Sequence, residues 1–508
     1  MKIASLILSF YFFTSAFYLS AQPLIQTLNK KEEVIIESKN NNRISFHSSV
    51  KPYFVETTTI DSGFSAKLVI PDSFIYKHSI KPLFNINGTF SGKYAFPYQA
   101  LLGASYFYRS NKRFSLQVNF LANNQKYLPL QAERIDSYKV VPDWGKYLFE
   151  KSGNYFSPVF TTRLNYQIQK HIIVSTGYDK HFIGDGYRSL LLSDNAAPYP
   201  FVNLSVTLWR LQYFFMVAYL KDIDNLSASA RLTDKYGVFH YLDFNITNRL
   251  SLGFYEAIIW WGSDPDTKRG IDVAYLNPII FFRSVEYSMH SPDNANLGGN
   301  AKLRLWRKTY LYGQIFLDDL RIDELKANRG WWGNKYGFQA GFKSYQFINI
   351  KDLYVQSEIN IVRPFTYAHS SSAINYGTMY YPLAHPLGSN FIETLGIVRY
   401  TISKINLMGK LAVAQIGVDT SKSSFGQNIY KSYDLRYSNY NANLLQGRKQ
   451  TRIYTELQAN YILNPKYDVT LFVSGKFYSV AFDKNINPEL NFTIGLRTAL
   501  FYNDERDF

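Results

Sequence analysis

Five hundred and eight residues carry 55 Lys+Arg against 39 Asp+Glu, a formal charge of +16, and no cysteine. The missing cysteine excludes a disulfide scaffold, a thiolate metal site and a cysteine nucleophile, and 46% hydrophobic content excludes general disorder. With 42 Tyr, 39 Phe and 7 Trp beside only 19% charged residues, the composition also departs from that of a string of soluble domains.

Met1-Lys2 is a short basic start, Ile3 to Leu19 an apolar, aromatic-rich run, and Ser20-Ala21 before Gln22 fits a signal-peptidase site. The run is short and has no basic stop-transfer flank, so it reads as an export signal rather than a transmembrane anchor. An exported chain does not meet chromosomal DNA, so the basic charge points to anionic surface glycans, lipid head groups or acidic partners. The expected division is a signal peptide over 1–21, a short N-terminal segment over 22–44 and one domain over 45–508.

Along that domain the recurring pattern is alternation with period two. Phe114, Leu116, Val118 and Phe120 alternate with Ser115, Gln117 and Asn119. Val202, Leu204, Val206 and Leu208 alternate with Asn203, Ser205 and Thr207. The richest apolar run, Tyr213 to Leu220, falls well short of the roughly 18 residues a membrane helix needs. Leu353, Val355, Ser357, Ile359 and Ile361 alternate with Gln356, Glu358 and Asn360. Ile453, Thr455, Leu457, Ala459 and Tyr461 alternate with Arg452, Glu456, Gln458 and Asn460, and Val469, Leu471 and Val473 follow after the turn Asn464-Pro465-Lys466. Near the end, Phe492, Ile494, Leu496, Leu500 and Tyr502 share one parity; with Gly495 and the terminal Phe508 they resemble the assembly signal of outer-membrane barrels, although Thr498 stands where a hydrophobic is expected.

A soluble sandwich also has one apolar face per strand. Three features favour a membrane barrel, in which apolar residues face lipid and polar ones a wet lumen. Aromatics suited to an interfacial girdle stand at Tyr53, Tyr106, Tyr108, Trp260 and Trp261. The polar face includes Glu358, Arg452 and Glu456, and the chain closes on an aromatic strand. A repeat of roughly 27 residues, from barrel geometry, predicts an all-β, transmembrane antiparallel β-barrel of about 18 strands, 16 being possible, with long extracellular loops. Two stretches break the alternation. Leu128 to Tyr155 suits a loop with a short helix, and Asp419 to Gln450, rich in Ser, Asn and Tyr, suits a long outer loop or a lumen plug. Glu256 shares parity with Leu250, Leu252 and Phe254, so a bulge or a membrane exit is expected there.

Catalytic and metal motifs are weak. Gly184-Asp185-Gly186 lacks the Lys-Ser/Thr of a phosphate loop and reads as a turn. Ser48-Ser49-Val50-Lys51 and Ser193-Asp194-Asn195 match parts of a penicillin-enzyme pattern, but the Lys-Thr-Gly element is missing. The eight His show no metal-ligand spacing. A non-enzyme without cofactor or metal is expected. Aromatics interleaved with polar and charged residues are more informative, because sugar CH faces stack on rings while hydroxyls meet polar groups. These give the candidate polysaccharide-binding residues Tyr178, His181, Tyr187, Arg188, Asp194, Asn195, Arg283, Trp331, Trp332, Lys335, Arg363 and Tyr367. The alternative for each is a structural role in filling the lumen.

The stretch His181 to Ser189 with Ser193-Asp194-Asn195-Ala196 resembles the signature of the Wzi-type capsule-assembly family. Further segments resemble a branch near motility-associated outer-membrane proteins of the RemB type, found in gliding diderm bacteria. They are His240–Thr247, Glu256–Trp260, Tyr275–Arg283, Trp331–Lys335, Arg363–Tyr367 and Leu383–Gly388. The resemblance, over residues 45 to 502, implies a multi-pass barrel of about 18 strands in the outer membrane of a diderm bacterium. Its implied partners are surface or capsular polysaccharide and outer-membrane lipids, with gliding or surface-assembly proteins as further candidates and no nucleic acid. The implied role is to bind polysaccharide and help attach or assemble it at the cell surface; a gliding-motility component and a porin are the alternatives. The enterobacterial members have an N-terminal helical bundle before the first strand, which this sequence does not show clearly; if the bundle helps close their lumen, something else must do so here.

Overall fold

Alternating strands bury one face each by closing on themselves, and a closed sheet leaves no unpaired edge in the membrane. The computed structural model describes residues 30–498, save 42, 44, 54–77, 93–95, 111–112, 225–230, 263–268, 280–292, 307, 466 and 483–484. The expected export signal, Arg283, Leu500, Tyr502 and Phe508 therefore lie outside the described residues.

The sheet is a closed antiparallel barrel of 18 long strands. In chain order they are β1 (His78–Ser91), β2 (Tyr98–Ser110), β3 (Phe114–Lys126), β4 (Val159–Gln169), β5 (Ile172–Asp179), β6 (Tyr199–Leu208), β7 (Leu211–Asp224), β8 (Arg231–Asn245) and β9 (Leu250–Trp261). They continue as β10 (Asn294–Trp306), β11 (Thr309–Asp319), β12 (Lys335–Ser344), β13 (Leu353–Val362), β14 (Phe391–Ile402), β15 (Ile405–Val418), β16 (Arg448–Asn464), β17 (Val469–Phe482) and β18 (Asn485–Arg497). Each strand pairs with its neighbours in sequence, and β18 closes on β1 with Asn85 opposite Arg497 and Phe90 opposite Phe492.

Loop lengths orient the barrel. One end has tight connections such as 170–171, 209–210 and 403–404, where Trp209 and Ser403 take the positive φ that primed hairpin turns need. The other end carries 127–158, 180–198, 262–293, 320–334, 363–390 and 419–447. Short turns mark the periplasmic end and long loops the extracellular end of such barrels. The outer face is an apolar belt: Ile86, Leu102, Phe120, Phe160, Val202, Val398, Leu457 and Phe492 are exposed. A surface this apolar is stable against lipid and not against water.

The inner face divides. Across β1 to β4 it is an amide and hydroxyl wall, where Asn85 donates to Gln99 (3.1 Å), Gln99 to Asn123 (3.2 Å), Asn123 to Ser157 (3.1 Å) and Asn119 to Thr161 (2.9 Å). On β7, β8, β9 and β11 the inward-facing Phe214, Met216, Phe239, Ala257, Ile259 and Phe316 join one buried core with Val50, Ile183 and Leu190 to Leu192, while Asn300 and Lys302 of β10 and Gln339 and Lys343 of β12 are buried on the same inner face. That part of the lumen is filled by packed chain, which differs from the wet lumen expected. It also explains why Tyr213 to Leu220 is apolar on both parities: one faces lipid, the other a plug.

The plug has two parts. Helix α1 (Lys30–Asn40) lies at the short-turn end, with Val34 against Tyr310, Tyr345 and Tyr354. Its Glu37 accepts from Lys343 Nζ (2.8 Å), Tyr53 Oη (2.5 Å) and Tyr345, with Lys51 Nζ 3.4 Å away. Burial pushes the Glu37 carboxyl up, but Lys343 and Lys51 outweigh it and hold the group well below the usual carboxylate range. One helix, with the segment through Lys51, therefore stands where a bundle was absent from the sequence. Residues 45–53, expected within the barrel domain, run inside the lumen, and Tyr53 is buried there rather than in an interfacial girdle. The second part is the loop after β5, whose Phe182 and Ile183 pair with Lys51 and Val50.

Leu128 to Tyr155 contains the expected short helix, α2 (Pro129–Tyr138). Residues 419–447 form a long extracellular loop, and β16 starts at Arg448, earlier than the boundary read from composition.

Candidate functional site

The loop 180–198 turns at Gly184-Asp185-Gly186, as a turn and not a phosphate loop. Gly184 has φ of +145°, which strains any residue with a side chain, and a Cβ there would lie 2.3 Å from the Gln314 amide nitrogen and displace it. Asp185 accepts from Ser48 (2.5 Å) and Asn300 (2.9 Å). Burial raises its carboxyl, but Lys302 and Lys343 bring it below its ordinary value. Glu358 of β13 accepts the backbone N–H groups of Tyr187 (2.9 Å) and Arg188 (3.2 Å). Arg188 donates to Glu393 of β14 through Nε (3.2 Å) and a terminal nitrogen (2.9 Å). Glu393 is fully buried and also meets His385 Nε2 (2.7 Å) and Asn360 (3.1 Å). Asp185, the Tyr187, Arg188 and Leu190 amides and the Arg188 guanidinium thus each meet a polar group of the wall, as buried polar groups require.

The sequence-selected residues thus separate into sets. His181, Tyr187, Arg188 and Asn195 belong to the plug: His181 contacts Arg163 at 3.1 Å, and Asn195 donates to Pro382 O at 3.1 Å. Asp194 is half-buried, and its carbonyl accepts from Lys180 (3.2 Å). Tyr367 is fully buried and donates to Leu190 O (3.0 Å), fixing the 363–390 loop to the plug. Lys335 is buried against Asp318 at 2.8 Å. Tyr178 falls on the outward parity of β5, away from all of these. Trp331, Trp332 and Arg363 come together at the extracellular mouth.

That mouth is built by three loops. Residues 320–334 and 419–447 are zipped by backbone bonds from Trp332 N to Asn439 O (3.0 Å), Asn441 N to Arg329 O (3.0 Å) and Ala442 N to Gly330 O (2.8 Å). Asn390 pins the long loop to the barrel: its amide donates to Gly417 O, Phe425 O and Gln446 O at 2.7–3.1 Å and its oxygen accepts from Leu445 N at 2.7 Å. Phe365 N donates to Gly426 O (2.9 Å), which adds the third loop.

On this frame the half-buried Trp332 meets Trp331 (6.0 Å between ring centres), Phe365 (5.8 Å) and Tyr433 (4.8 Å). Arg436 lies over the Trp332 ring at 4.4 Å and Arg321 over Trp331 at 5.2 Å. Lys335 approaches the Tyr433 ring at 5.5 Å, and Arg363 donates to Ala442 O at 3.0 Å. Tyr437, largely exposed, stacks on Phe425. Indole faces edged by guanidinium groups can stack on pyranose rings and bind hydroxyls or carboxylates. Tyr433, Arg436 and Tyr437 were missed by motif reading. Their signal was the spacing Tyr430, Tyr433, Arg436-Tyr437, Tyr440 inside a stretch classed by composition alone.

Among the described residues no cluster of His, Asp and Glu is arranged to hold a metal ion.

The fold is similar to that of Wzi of Escherichia coli, an outer membrane protein involved in group 1 capsule assembly and described as a carbohydrate-binding β-barrel. The identity is 11% and the TM-score 0.56, over 94% of this chain and 99% of that one. OprD of Pseudomonas aeruginosa matches at 11% identity and a TM-score of 0.44, over 86% and 97% of the two chains. OccAB2 of Acinetobacter baumannii matches at 10% and 0.42, over 83% and 97%. No protein-family model and no curated protein matches the sequence. At such identities the likeness to Wzi bears on the fold: a multi-pass barrel of the outer-membrane type, with the architecture read from the alternation.

Proposed function

We propose that this barrel binds surface or capsular polysaccharide at its extracellular mouth and helps hold it at the cell surface, without catalysis. The observation that supports this reading is the Trp331–Trp332–Phe365–Tyr433 group edged by Arg436, assembled from three separate loops at the end that faces outward. The role is attachment. Rings supply stacking area, guanidinium groups supply charge-assisted hydrogen bonds, and the buried plug beneath keeps the loops in place. The Wzi-like fold and the resemblance at His181 to Ala196 favour the same reading, and the motility-associated branch remains a proposal on sequence resemblance. Purified protein is assayed against acidic capsular polysaccharide. Trp332→Ala and Arg436→Ala are each expected to weaken binding about tenfold, roughly 1.4 kcal/mol per site. Unchanged affinity in both variants sinks the assigned surface. A deletion strain scored for capsule retention and surface spreading separates attachment from motility.

The amide-lined inner wall of β1 to β4 favours a second reading, passage of small hydrophilic solutes past the plug. Single-barrel conductance in planar bilayers separates the two, since an attachment protein is expected to conduct little.

A further inference from the structure

One side of the outer wall does not look like a lipid-facing surface. On β7, β8 and β9 the outward parity carries Tyr213, His240 and Glu256. The pairing through Glu256 runs without a register shift on either side, so neither a bulge nor a change of face turns it inward. Glu256 and His240 nonetheless have only 1% exposure each, and their outward neighbours Val238, Ile258 and Trp260 have 0–1%. Elsewhere on the wall, outward residues such as Val202 and Phe254 are about half exposed, at 53% and 49%.

Residues 269–279, from the loop after β9, lie against this patch. Trp260 Nε1 donates to Gly270 O at 3.1 Å, and the Trp260 ring packs on Tyr275 at 5.1 Å. Arg269 bridges Asp293 (2.6 Å) and Asp272 (2.9 Å), and Tyr275 donates to Asp293 at 2.7 Å. Farther along, Tyr213 donates to Pro278 O at 2.8 Å, and the same hydroxyl meets His240 Nδ1 at 2.6 Å. Tyr213 stands two residues into β7 from its short-turn end, so the segment descends through much of the height of the wall. On its barrel side Arg269, Asp272 and the carbonyls of Gly270 and Pro278 are engaged, while Asn277 is exposed. Its other side presents Ile271, Val273, Leu276 and Ile279, at 53%, 76%, 37% and 68% exposure.

We propose that residues 269–279 form a strap embedded in the membrane, and that the partner of its apolar side is the hydrocarbon of the bilayer. A carboxylate and an imidazole on lipid-facing positions are unfavourable in hydrocarbon. The strap packs on Trp260 and bonds to Tyr213, which holds His240, and so places apolar side chains outside this stretch of wall. Its exposed side is apolar, as the belt at Val202 and Phe254 is, and its two charged residues, Arg269 and Asp272, are tied to each other, with Arg269 also bound to Asp293 at the wall.

The chain has no cysteine, so single labels can be added without background. Val273→Cys and Ile279→Cys are spin-labelled in the full barrel reconstituted into phosphatidylcholine–phosphatidylglycerol vesicles, with Val202→Cys as the wall control and Tyr437→Cys as the mouth control. Collision with dissolved oxygen is compared with collision with a water-soluble nickel chelate. The labels at 273 and 279 are expected to shift toward oxygen to the same extent as 202, and 437 toward nickel. Nickel access at 273 and 279 matching that at 437 overturns the proposal. Shielding of both labels from both reagents indicates a protein partner and overturns it as well.

Discussion

Arg188→Ala separates a ligand contact from an anchor of the plug. In the barrel its guanidinium spans Glu393, which is fully buried and also meets His385 and Asn360. Removing one partner of a buried pair costs about 3–5 kcal/mol, because the remaining charge stays desolvated. The hairpin 182–192 is held by Glu358 at two backbone amides and by Gln314 at Leu190 N (2.8 Å), all within reach of the same network. A loss near 3 kcal/mol raises the open population of that hairpin roughly a hundredfold. Amide hydrogen exchange read by mass spectrometry is expected to accelerate by that factor at Tyr187 to Leu191, with the barrel strands unchanged. Replacing Arg188 and Glu393 together by Met is expected to recover part of the protection, since an apolar pair carries no desolvated charge. If exchange in the hairpin stays at its original rate while polysaccharide binding is lost, the anchoring argument fails and Arg188 acts on the ligand directly.

Asn390→Ala removes three hydrogen bonds to the 419–447 loop and one to Gly417 of β15, and leaves buried carbonyls unpaired. A loss of about 1–3 kcal/mol per stranded group is expected to appear as faster proteolytic nicking between Asp419 and Gly447. Gly426→Ala should loosen the same loop, because φ is +80° and a Cβ would stand 2.4 Å from Phe365 N; a penalty of about 1–2 kcal/mol for a left-handed residue is the minimum expected in a thermal melt. Burial, with Lys335 adding to it, pushes the His369 imidazole down to about 4. The unfolded imidazole titrates near 6.5, so the unfolded state takes up the proton first. The mouth is therefore expected to keep its stability above about pH 6.5 and lose it as pH falls through about 4. His369→Gln should flatten that dependence in tryptophan-fluorescence melts, and an unchanged profile counts against the assignment.

Much of the architecture was legible because barrel closure is a local rule repeated. Val202, Leu204 and Val206 alternate with Asn203 and Ser205 since lipid lies on one side of every strand and protein or water on the other, so periodicity and length pointed to about 18 strands with 16 open, and closure decided for 18. Glu256 broke the pattern, and the sequence offered a bulge or an exit; in the barrel the register is intact and residues of the following loop lie over that stretch of wall. The candidate site was legible in part. Trp331, Trp332 and Arg363 were found because aromatic and charged residues are adjacent in the chain. Tyr433 and Arg436 were not, because Trp332, on which both pack, is more than a hundred residues away in sequence.

The amino-acid sequence by itself determined a cysteine-free, single closed sheet with one apolar parity, since side-chain direction in a strand depends only on residue number. Tertiary structure alone decided which polar residues face solvent and which face one another. His181, Arg188, Lys335 and Tyr367 look like surface chemistry in a string of letters. They become buried anchors because closing eighteen strands creates an interior that the 180–198 and 363–390 loops must fill, and a charge in that interior is stable only beside its partner.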